Sequence, residues 1–423
     1  MSDAFSSLND CFASQHKLLP AQSALEILRS NANTVVAVET LTLADAHGRV
    51  LAEALTSPRN IPAFNNAAVD GYAFCAAELD LDQSNTLKVS AYIAAGDCPS
   101  QLIAGTAARI FTGAPLPAGA DTVVMQEDVV TCESSASVEL PSGLKAGSNW
   151  RPAGEDMALG TQVLAAGQRL RSQDIGAAAA MGFAELKVFC RLKVAIFSTG
   201  DEVCEPGPAL PEGSLFDVNR HMLMSLVRSS GAAVYDLGIL KDNARETAKA
   251  LQQAASQYDL ILTSGGVSTG DKDFVAKAIS AQGAINFWRL AVKPGRPLAF
   301  GHVDNTPLIG LPGNPVATAV CFMRFAFPLL CTLGGQDWPE PTLITLPAAF
   351  SMKKKVGRRE WLRARLKADS EGRTVVDKHP KQGSGILSSL LEADGLAELP
   401  EDQSDIVPGD LVSFMSFSQF NIA

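Results

Sequence analysis

The sequence has few cysteines and histidines, no excess of basic charge and no cluster of cysteine and histidine. Its eight cysteines are spread along 423 residues without a CxxC pair, and only five histidines are present. Zinc sites made from these residues need closely spaced ligands, so we expect no zinc and interpret the cysteines as reduced packing residues. The net charge of −10 disfavours non-specific binding to nucleic acid or to an anionic membrane, because the field of the chain repels polyanions. An anionic ligand must therefore be bound by local cations.

Targeting signals and long apolar runs are also missing. The first residues, MSDAFSSLNDCF, contain neither a basic n-region nor an apolar h-region, and no uninterrupted apolar run approaches membrane-spanning length. These absences predict a cytoplasmic protein. The length is typical of about three domains, and 47% apolar composition is enough to give each domain a core.

From Leu192 onward, strand-like apolar runs alternate with helical segments. Helices are predicted at about residues 219–230 and 244–256, and a long apolar helix is predicted to begin at Pro315 with Asn314 as its N-cap. This alternation predicts a central doubly wound α/β domain with a parallel sheet over residues 191–335. Such a sheet binds ligands beyond the carboxyl ends of its strands.

The remaining segments predict three further units. Short strand patterns with Pro/Gly turns indicate an inserted small β domain over residues 61–156. Helical patterns at residues 21–31 and 172–181 indicate that residues 1–60 and 157–190 form one discontinuous helical domain around it. Short strands over residues 336–423 predict a C-terminal β-barrel. The fold class is therefore multidomain α/β plus β.

Four Gly/Pro turns follow the strands of the α/β domain, and they have the sequences STGDE, TSGGVSTGDKD, KPGRP and GLPGNP. Glycine lets backbone N–H groups approach a ligand closely, and a turn that opens a helix directs the positive end of the helix dipole at it, so phosphate or another oxyanion is the expected ligand. Two like charges ~4 Å apart repel by ~4 kcal/mol at an effective dielectric near 20, so carboxylates in one crevice need compensation. Lys293 and Arg296 supply part of it, and Mg²⁺ is the natural remainder. The carboxylates concerned are Asp201, Glu202, Asp271 and Asp273.

Each of these signals also has an ordinary explanation. A single aspartate at a turn is often a helix cap, and Lys293 with Arg296 could be a solvated pair. The recurrence of such turns on successive strands favours a functional site. In the inserted domain, Gly/Pro-rich loops hold Asp70 and Thr112, and the segment NWRPAGED adds Arg151, Glu155 and Asp156. Charged, rigid loops of this kind suggest a contact with a ligand or a partner.

Taken together, these blocks resemble the MoeA family, the molybdopterin molybdenumtransferases that include the E domain of gephyrin. The resemblance covers essentially the full length, with DGYA, TGAP, VVMQE, GED, STGDE, GGVSTGDKDF, KPGRP, GLPGNP and QGSG in order. It implies an elongated homodimer with a shared active site and four domains in each subunit. It also implies insertion of molybdate into adenylylated molybdopterin, with Mg²⁺-dependent release of AMP, to give molybdenum cofactor.

The resemblance also implies roles for individual residues. Those on the nucleotide and metal side would be Glu202, Asp242 and Asp273, with Glu202 and Asp273 as metal ligands and Lys293 close by. Those that contact the adenylylated pterin would be Gly265, Gly266 and Ser268. Arg289 would also bind the cofactor, and it occupies a position that is often lysine in the family. The molybdate pocket would contain Arg296, Arg358 and Ser384, beside a loop shaped by Pro312 and Pro315. Residues that reach the cleft from the other subunit would be Asp70, Thr112, Arg151 and Asp156.

Two alternative functions stay open at this stage. The α/β domain also resembles molybdopterin adenylyltransferases, which share the GGVS turn, although stand-alone enzymes of that kind lack the inserted and C-terminal domains. A scaffold that binds a protein partner, as the E domain of gephyrin also does, is the other alternative. The resemblance further implies molybdopterin adenylyltransferase and molybdoenzyme maturation proteins as partners, and it leaves the choice between molybdate and tungstate open.

Overall fold

The computed structural model describes residues 18–132, 134, 136–241, 243–266 and 283–420, with the backbone alone for 283–288. A π-helical segment, Phe322–Ala326, joins the helices Pro315–Cys321 and Phe327–Leu333 into one continuous helix. The helices in the described ranges are α1 (Ala21–Ser30), α2 (Leu43–Ala46), α3 (Ser172–Met181), α4 (Val218–Ser229), α5 (Ala244–Ala255), α6 (Pro315–Cys321), α7 (Phe327–Leu333) and α8 (Ser388–Leu391).

Strands make up most of the first part of the chain. Those up to the central domain are β1 (Val38–Thr42), β2 (Leu55–Thr56), β3 (Asn66–Ala67), β4 (Gly71–Phe74), β5 (Asn85–Ile93), β6 (Thr106–Ile110), β7 (Thr122–Met125), β8 (Val130–Cys132), β9 (Ser137–Leu140), β10 (Trp150–Arg151), β11 (Gln162–Leu164) and β12 (Glu185–Phe189). The strands β4 to β9 form a six-stranded sheet in the order β7-β4-β6-β5-β9-β8, which is the body of the inserted domain. On either side of this insertion, β1 pairs with β12 and β2 pairs with β11, so the two flanking segments pack as one unit.

The central domain and the C-terminal region contain the remaining strands. They are β13 (Lys193–Thr199), β14 (Val203–Cys204), β15 (Leu215–Phe216), β16 (Ala233–Leu240), β17 (Leu260–Ser264), β18 (Gly283–Arg289), β19 (Val292–Lys293), β20 (Pro297–Val303), β21 (Thr306–Leu311), β22 (Ile344–Pro347), β23 (Met352–Lys353), β24 (Arg359–Ala368), β25 (Thr374–Lys378), β26 (Gly395–Leu399), β27 (Asp405–Ile406) and β28 (Leu411–Ser416).

The central sheet has the order β16-β13-β17-β21-β20-β18. Its first four strands are parallel, as predicted. The strand β20 pairs antiparallel with β21, and β18 pairs antiparallel with β20, so for these two pairings the prediction of a parallel sheet is wrong. The physical reason is the length of the connections. Val303 pairs with Thr306 across a two-residue turn, which is too short for a parallel crossover.

The long helix formed by residues 315–333 lies in the main core. Among the described residues it is the one helix long and apolar enough to cross a membrane, with a mean hydropathy of 1.8, but 94% of its apolar window is buried inside the protein. Its side chains pack with α1, α4 and the central strands. It is the core helix of this domain.

The C-terminal strands form a curved sheet in the order β19-β24-β26-β28-β22, with β25 paired to β24. The strand β19 belongs to the KPGRP segment, so this turn of the α/β domain is hydrogen-bonded into the C-terminal sheet. The predicted class, multidomain α/β plus β, is confirmed. The domain boundaries assigned from the sequence stay a prediction.

Candidate functional site

The described parts of the four Gly/Pro turns lie at one edge of the central sheet, with the second turn described only as far as Gly266. The parallel strands β13, β17 and β21 end there at Thr199, Ser264 and Leu311. Because β20 runs antiparallel to β21, it begins at this same edge, where Pro297 pairs with Arg289 at the end of β18. Neighbouring strands lie about 4.8 Å apart, so the STGDE turn and the start of β20, three strands away, are separated by on the order of 14 Å. This edge, the candidate crevice, is therefore long enough for an extended substrate rather than for one ion.

The turns after the parallel strands contact one another. Gly265 has φ +85°, and a Cβ there would lie 3.0 Å from the carbonyl oxygen of Thr199. A Cβ on Gly313 would lie 4.0 Å from the Cα of Gly265. The amide of Asn219 donates to the Ser264 hydroxyl at 2.8 Å and to the carbonyl of Gly313 at 2.6 Å. These contacts fix three backbone turns in one arrangement, with glycine where the backbones approach closely.

The neighbouring GLPGNP turn is fixed from below by α6. The Thr318 hydroxyl donates to the carbonyl of Pro312 at 2.5 Å, and Asn314 precedes the helix with Pro315 at its first position. The predicted start of this helix is confirmed. The amide oxygen of Asn219 is buried and accepts no hydrogen bond from the described residues, so one polar atom in this cluster of turns is unsatisfied.

Glu202 lies on an exposed turn after β13, at the end of the crevice opposite to the KPGRP turn. Its carboxylate packs against Gly200, where a Cβ would lie 2.8 to 2.9 Å from the carboxylate atoms and where φ is +134°. The positive φ thus favours glycine at position 200, and the Glu202 carboxylate occupies the space that a side chain there would take. A carboxylate in this place offers the hard oxygen ligand that Mg²⁺ prefers.

Several predicted site residues lie outside the described residues, namely Asp242, Ser268, Asp271 and Asp273. Within the described ranges, no group of three or more His, Cys, Asp and Glu side chains is placed to hold a metal ion. The predicted pair of magnesium ligands, Glu202 and Asp273, therefore stays a prediction.

Lys293 belongs to a group of charges that joins the KPGRP turn to the C-terminal sheet. The parallel pairing of β19 with β24 places Lys293 opposite Glu360, whose side chain is completely buried. The Nζ of Lys293 lies 3.4 Å from one carboxylate oxygen, which accepts no hydrogen bond from any described residue, and Arg358 donates to the other oxygen at 2.7 Å. Two cations thus share one carboxylate, and the group retains a net positive charge beside the crevice.

The rest of the KPGRP turn is held against α6. Gly295 has φ +100°, and a Cβ there would lie 2.3 Å from the sulfur of Cys321. Burial raises the pKa of the Cys321 thiol, which fits the predicted role of a packing residue. Arg296 and Arg289 are exposed on the same turn, and the carbonyl of Arg296 accepts a hydrogen bond from Leu290 at 2.7 Å. The two predicted guanidinium groups therefore point toward solvent at the edge of the crevice.

Arg363 is a candidate site residue that the sequence reasoning missed. Its side chain is 1% exposed, and its guanidinium donates to the Ser389 hydroxyl at 3.0 Å and to the carbonyl of Gly383 at 3.1 Å. It forms no ion pair with a carboxylate of the described residues, and burial lowers its pKa to about 10. Beside it, the carbonyl of Ser384 accepts a hydrogen bond at 3.0 Å from the backbone N–H of Val316, in the first turn of α6.

The guanidinium at the QGSG loop therefore belongs to Arg363, whereas Arg358, the residue predicted for the molybdate pocket, contacts Glu360. One signal in the sequence could have indicated Arg363. It lies two residues from Trp361 in a strand pattern, so both side chains are on the same face of β24, and the tryptophan is buried.

The inserted domain holds a second group of predicted residues, of which Asp70 and Thr112 are in contact. One carboxylate oxygen of Asp70 accepts hydrogen bonds from the Thr112 hydroxyl at 2.6 Å and from the Thr112 backbone N–H at 2.8 Å. The bond from the hydroxyl, and to a smaller extent the bond from the N–H, hold the pKa of Asp70 below its usual range. Arg151 is exposed on β10, which pairs with β3 just before Asp70, and Asp156 is exposed where the chain leaves the domain, with its N–H bonded to Ile61. Among the described residues, no hydrogen bond or ion pair links this group to the α/β domain or to the C-terminal sheet.

Three family models match the chain in sequence order. They are described as the MoeA N-terminal region (domain I and II) over residues 19–182, a probable molybdopterin binding domain over residues 195–332, and the MoeA C-terminal region (domain IV) over residues 345–417. The fold and the site thus define a multidomain protein built around an α/β domain of the molybdopterin-binding type.

Comparison with individual proteins narrows this class. A molybdopterin molybdenumtransferase from Haemophilus influenzae is 38% identical over 388 residues, which cover 90% of this chain and 94% of the relative. Molybdopterin molybdenumtransferase 2 from Mycobacterium tuberculosis is 35% identical over 380 residues, with 88% and 93% covered. The crystal structure of the molybdopterin biosynthesis MoeA protein from Pyrococcus horikoshii OT3 superposes with a TM-score of 0.81 at 28% identity and covers 95% of this chain and 100% of that one. The chain belongs to the MoeA family, and the predicted class of enzyme is confirmed by relatives at 34 to 38% identity that carry this activity in their names.

Proposed function

We propose that this protein transfers molybdenum from molybdate to adenylylated molybdopterin, with Mg²⁺-dependent cleavage of the pyrophosphate link and release of AMP. The names of its relatives and the molybdopterin-binding domain support the transferase activity. The finer assignment rests on one observation: a buried guanidinium, Arg363, has no carboxylate partner among the described residues and lies beside the first turn of α6. A site of this kind suits a dianionic oxyanion.

The oxyanion would bind where the C-terminal sheet meets the α/β domain. Arg363 has a fixed planar guanidinium, and fixed guanidinium groups bind tetrahedral oxyanions with directed hydrogen bonds. Its partners in the structure, Gly383 and Ser389, are neutral, so its charge is not cancelled locally. Lys293 and Arg358 share a single carboxylate, so their group contributes further positive charge on the same side of the crevice.

The pyrophosphate and the nucleotide would occupy the remainder of the crevice. The glycine-rich turns at Gly265 and Gly313 present backbone groups without side chains in the way, which is the arrangement that binds phosphates. Glu202, at the far end, would be one ligand of Mg²⁺, and the residues present fit this ion because an exposed carboxylate offers it oxygen ligands. When bound, Mg²⁺ neutralises phosphate oxygens and favours cleavage of the pyrophosphate bond.

Asp70, Thr112, Arg151 and Asp156 would complete the site from the other subunit of a homodimer. What supports this is the absence of any hydrogen bond or ion pair, within the described ranges, between that group and the crevice of the same chain. The hydrogen bonds between Asp70 and Thr112 do not lie in a hydrophobic core, because Asp70 is half-buried and Thr112 is exposed. A cytoplasmic location, and exchange of substrate with molybdopterin adenylyltransferase and molybdoenzyme maturation proteins, are part of the same proposal.

The test is release of AMP by the purified protein from adenylylated molybdopterin, measured against molybdate and Mg²⁺ concentration. We expect release to require both. Replacing Arg363 with methionine keeps the volume and removes the charge. It should raise the molybdate concentration for half-maximal rate by about 10-fold or more, since a hydrogen bond to a charged group contributes ~1.5–3 kcal/mol.

The matched control is Arg365→Met, two positions further along the same strand, where the guanidinium is half-exposed and pairs with Glu392. This change should leave the molybdate dependence unaltered. No AMP release under any molybdate and Mg²⁺ condition would reject the proposed reaction. ATP consumption with molybdopterin, independent of molybdate, would support an adenylyltransferase instead.

A further inference from the structure

Arg109 in the inserted domain lies at the meeting point of three sequence motifs. It is on β6, directly before the TGAP loop, and it pairs across the sheet with Tyr72 of the DGYA motif. Its guanidinium donates to the carbonyl of Gly71 at 3.1 Å and to the side-chain oxygen of Gln126, in the VVMQE motif. It also lies 5.0 Å from the ring centre of Tyr72 and 4.8 Å from that of Phe111.

These contacts surround the hydrogen-bonded pair of Asp70 and Thr112. Gly71 follows Asp70 directly, and Phe111 precedes Thr112 directly, so Arg109 touches a neighbour of each member of the pair. The backbone N–H of Gln126 donates to the carbonyl of Asp70 at 3.0 Å, which makes the third contact of Arg109 a neighbour of Asp70 as well. One side chain therefore links the three loops that place the carboxylate.

The backbone at Gly71 is closely packed against the neighbouring strand. A Cβ on Gly71 would lie 1.8 Å from the carbonyl oxygen of Val124, so the main chain of the DGYA motif is pressed against β7. A guanidinium has a planar set of donors that can bond two acceptors while its face packs on aromatic rings, whereas an ammonium group cannot reproduce this geometry. Loss of Arg109 removes the tie between these loops but not the sheet beneath them.

We propose that Arg109 is a positioning residue that fixes the Asp70–Thr112 pair for its contribution to the active site. This inference rests on the proposed function, because it concerns how the loop group enters the shared site. Arg109 touches neither the substrate nor the reacting atoms in this proposal. It acts through Asp70.

The kinetic test compares Arg109→Met and Arg109→Lys with wild type in AMP release. Misplacing a catalytic group by a small distance costs up to about 100-fold in rate, so we expect kcat to fall about 10-fold in Arg109→Met, with KM for molybdate unchanged. Arg109→Lys should recover part of the rate. In a protein that already carries Asp70→Asn, Arg109→Met should cause little further loss. Multiplying losses in the double variant would overturn the proposal.

A matched control and a structural measurement separate this role from general stabilisation. Lys88→Met removes an exposed positive charge from β5 of the same sheet and should leave kcat unchanged. In a crystal structure of Arg109→Met, the 2.6 Å contact between the Asp70 carboxylate and the Thr112 hydroxyl should be broken. An intact contact would overturn the proposal, whatever the activity. Wild-type protein that releases no AMP would instead reject the proposed function.

Discussion

The two groups of candidate site residues differ in how the protein holds them. Where the KPGRP turn meets the C-terminal sheet, two charged side chains are buried: Glu360 is fully buried and paired with Lys293 and Arg358, and Arg363 is 1% exposed. In the inserted domain, Thr112, Arg151 and Asp156 are exposed and Asp70 is half-buried, and loop hydrogen bonds hold them. The buried charges therefore contribute to the stability of the fold, whereas the exposed loop residues can be altered with little effect on folding. Substitutions should therefore change stability in the first region and mainly activity in the second.

The largest loss of stability is expected for Gly295→Ala. The new methyl group would lie 2.3 Å from the Cys321 sulfur at a φ of +100°, so overpacking and backbone strain together should cost about 3 kcal/mol in the free energy of unfolding. Denaturant unfolding measures it. Cys321→Ala alone should cost about 1 kcal/mol. The double variant should lose less than the sum, because the space left by sulfur takes the new methyl group. Additive losses would show that this contact does not hold the turn.

A smaller loss of stability is expected for Glu360→Gln. It leaves Lys293 and Arg358 without their shared carboxylate, and since these cations are 44% and 29% exposed, the cost should be about 2 kcal/mol, below the value for a wholly buried pair. Glu401→Gln is the matched control, because its carboxylate is 31% exposed and Arg359 keeps Glu398 as a second partner, so stability should change by less than about 1 kcal/mol. Equal losses in the two variants would remove the distinction between a buried and a surface carboxylate.

Asp70→Asn should affect stability still less. Its side chain is held by an exposed threonine, so we expect a change of less than about 0.5 kcal/mol in the free energy of unfolding. AMP release should nevertheless fall strongly, because the carboxylate is lost from the shared site. Thermal unfolding and activity measured on the same preparation check both parts. Comparable loss of folding and activity would place Asp70 in the first region rather than the second.

The smallest effect concerns the titration of Asp70. The hydroxyl of Thr112 and then its backbone N–H lower the pKa of this carboxyl below 3.8, so Thr112→Val should raise it toward that value. The stabilising contribution of this contact is present above the unfolded pKa and is lost as the pH falls through the folded pKa. Carboxyl NMR titration measures the shift, with Thr86→Val, an exposed residue on β5, as the control that should not move Asp70. An unchanged pKa in Thr112→Val would contradict the observed hydrogen bonds as its cause.

The fold was more predictable from the sequence than the site was. Periodicity and caps predicted α3 and the start of α6 at Pro315, and they placed α4 and α5 to within one residue at each end. The antiparallel pairing of β18 and β20 was missed, because strand direction depends on connection length and on register. Arg363 was missed for a related reason. In β24 both faces are buried from Glu360 to Ala364, so the alternation of polar and apolar residues does not by itself reveal which arginine points inward, and the two-residue spacing of Arg363 from Trp361 was the one signal available.

Two groups of residues from distant parts of the chain are proposed to meet in one site across a subunit interface. The most direct measurement uses heterodimers of Asp70→Ala and Lys293→Ala subunits, isolated by two affinity tags and assayed for AMP release. Each such dimer would contain one site with both groups intact, so about half of the wild-type activity per dimer is expected, while either homodimer should be nearly inactive. Heterodimers as inactive as the homodimers would contradict a shared site.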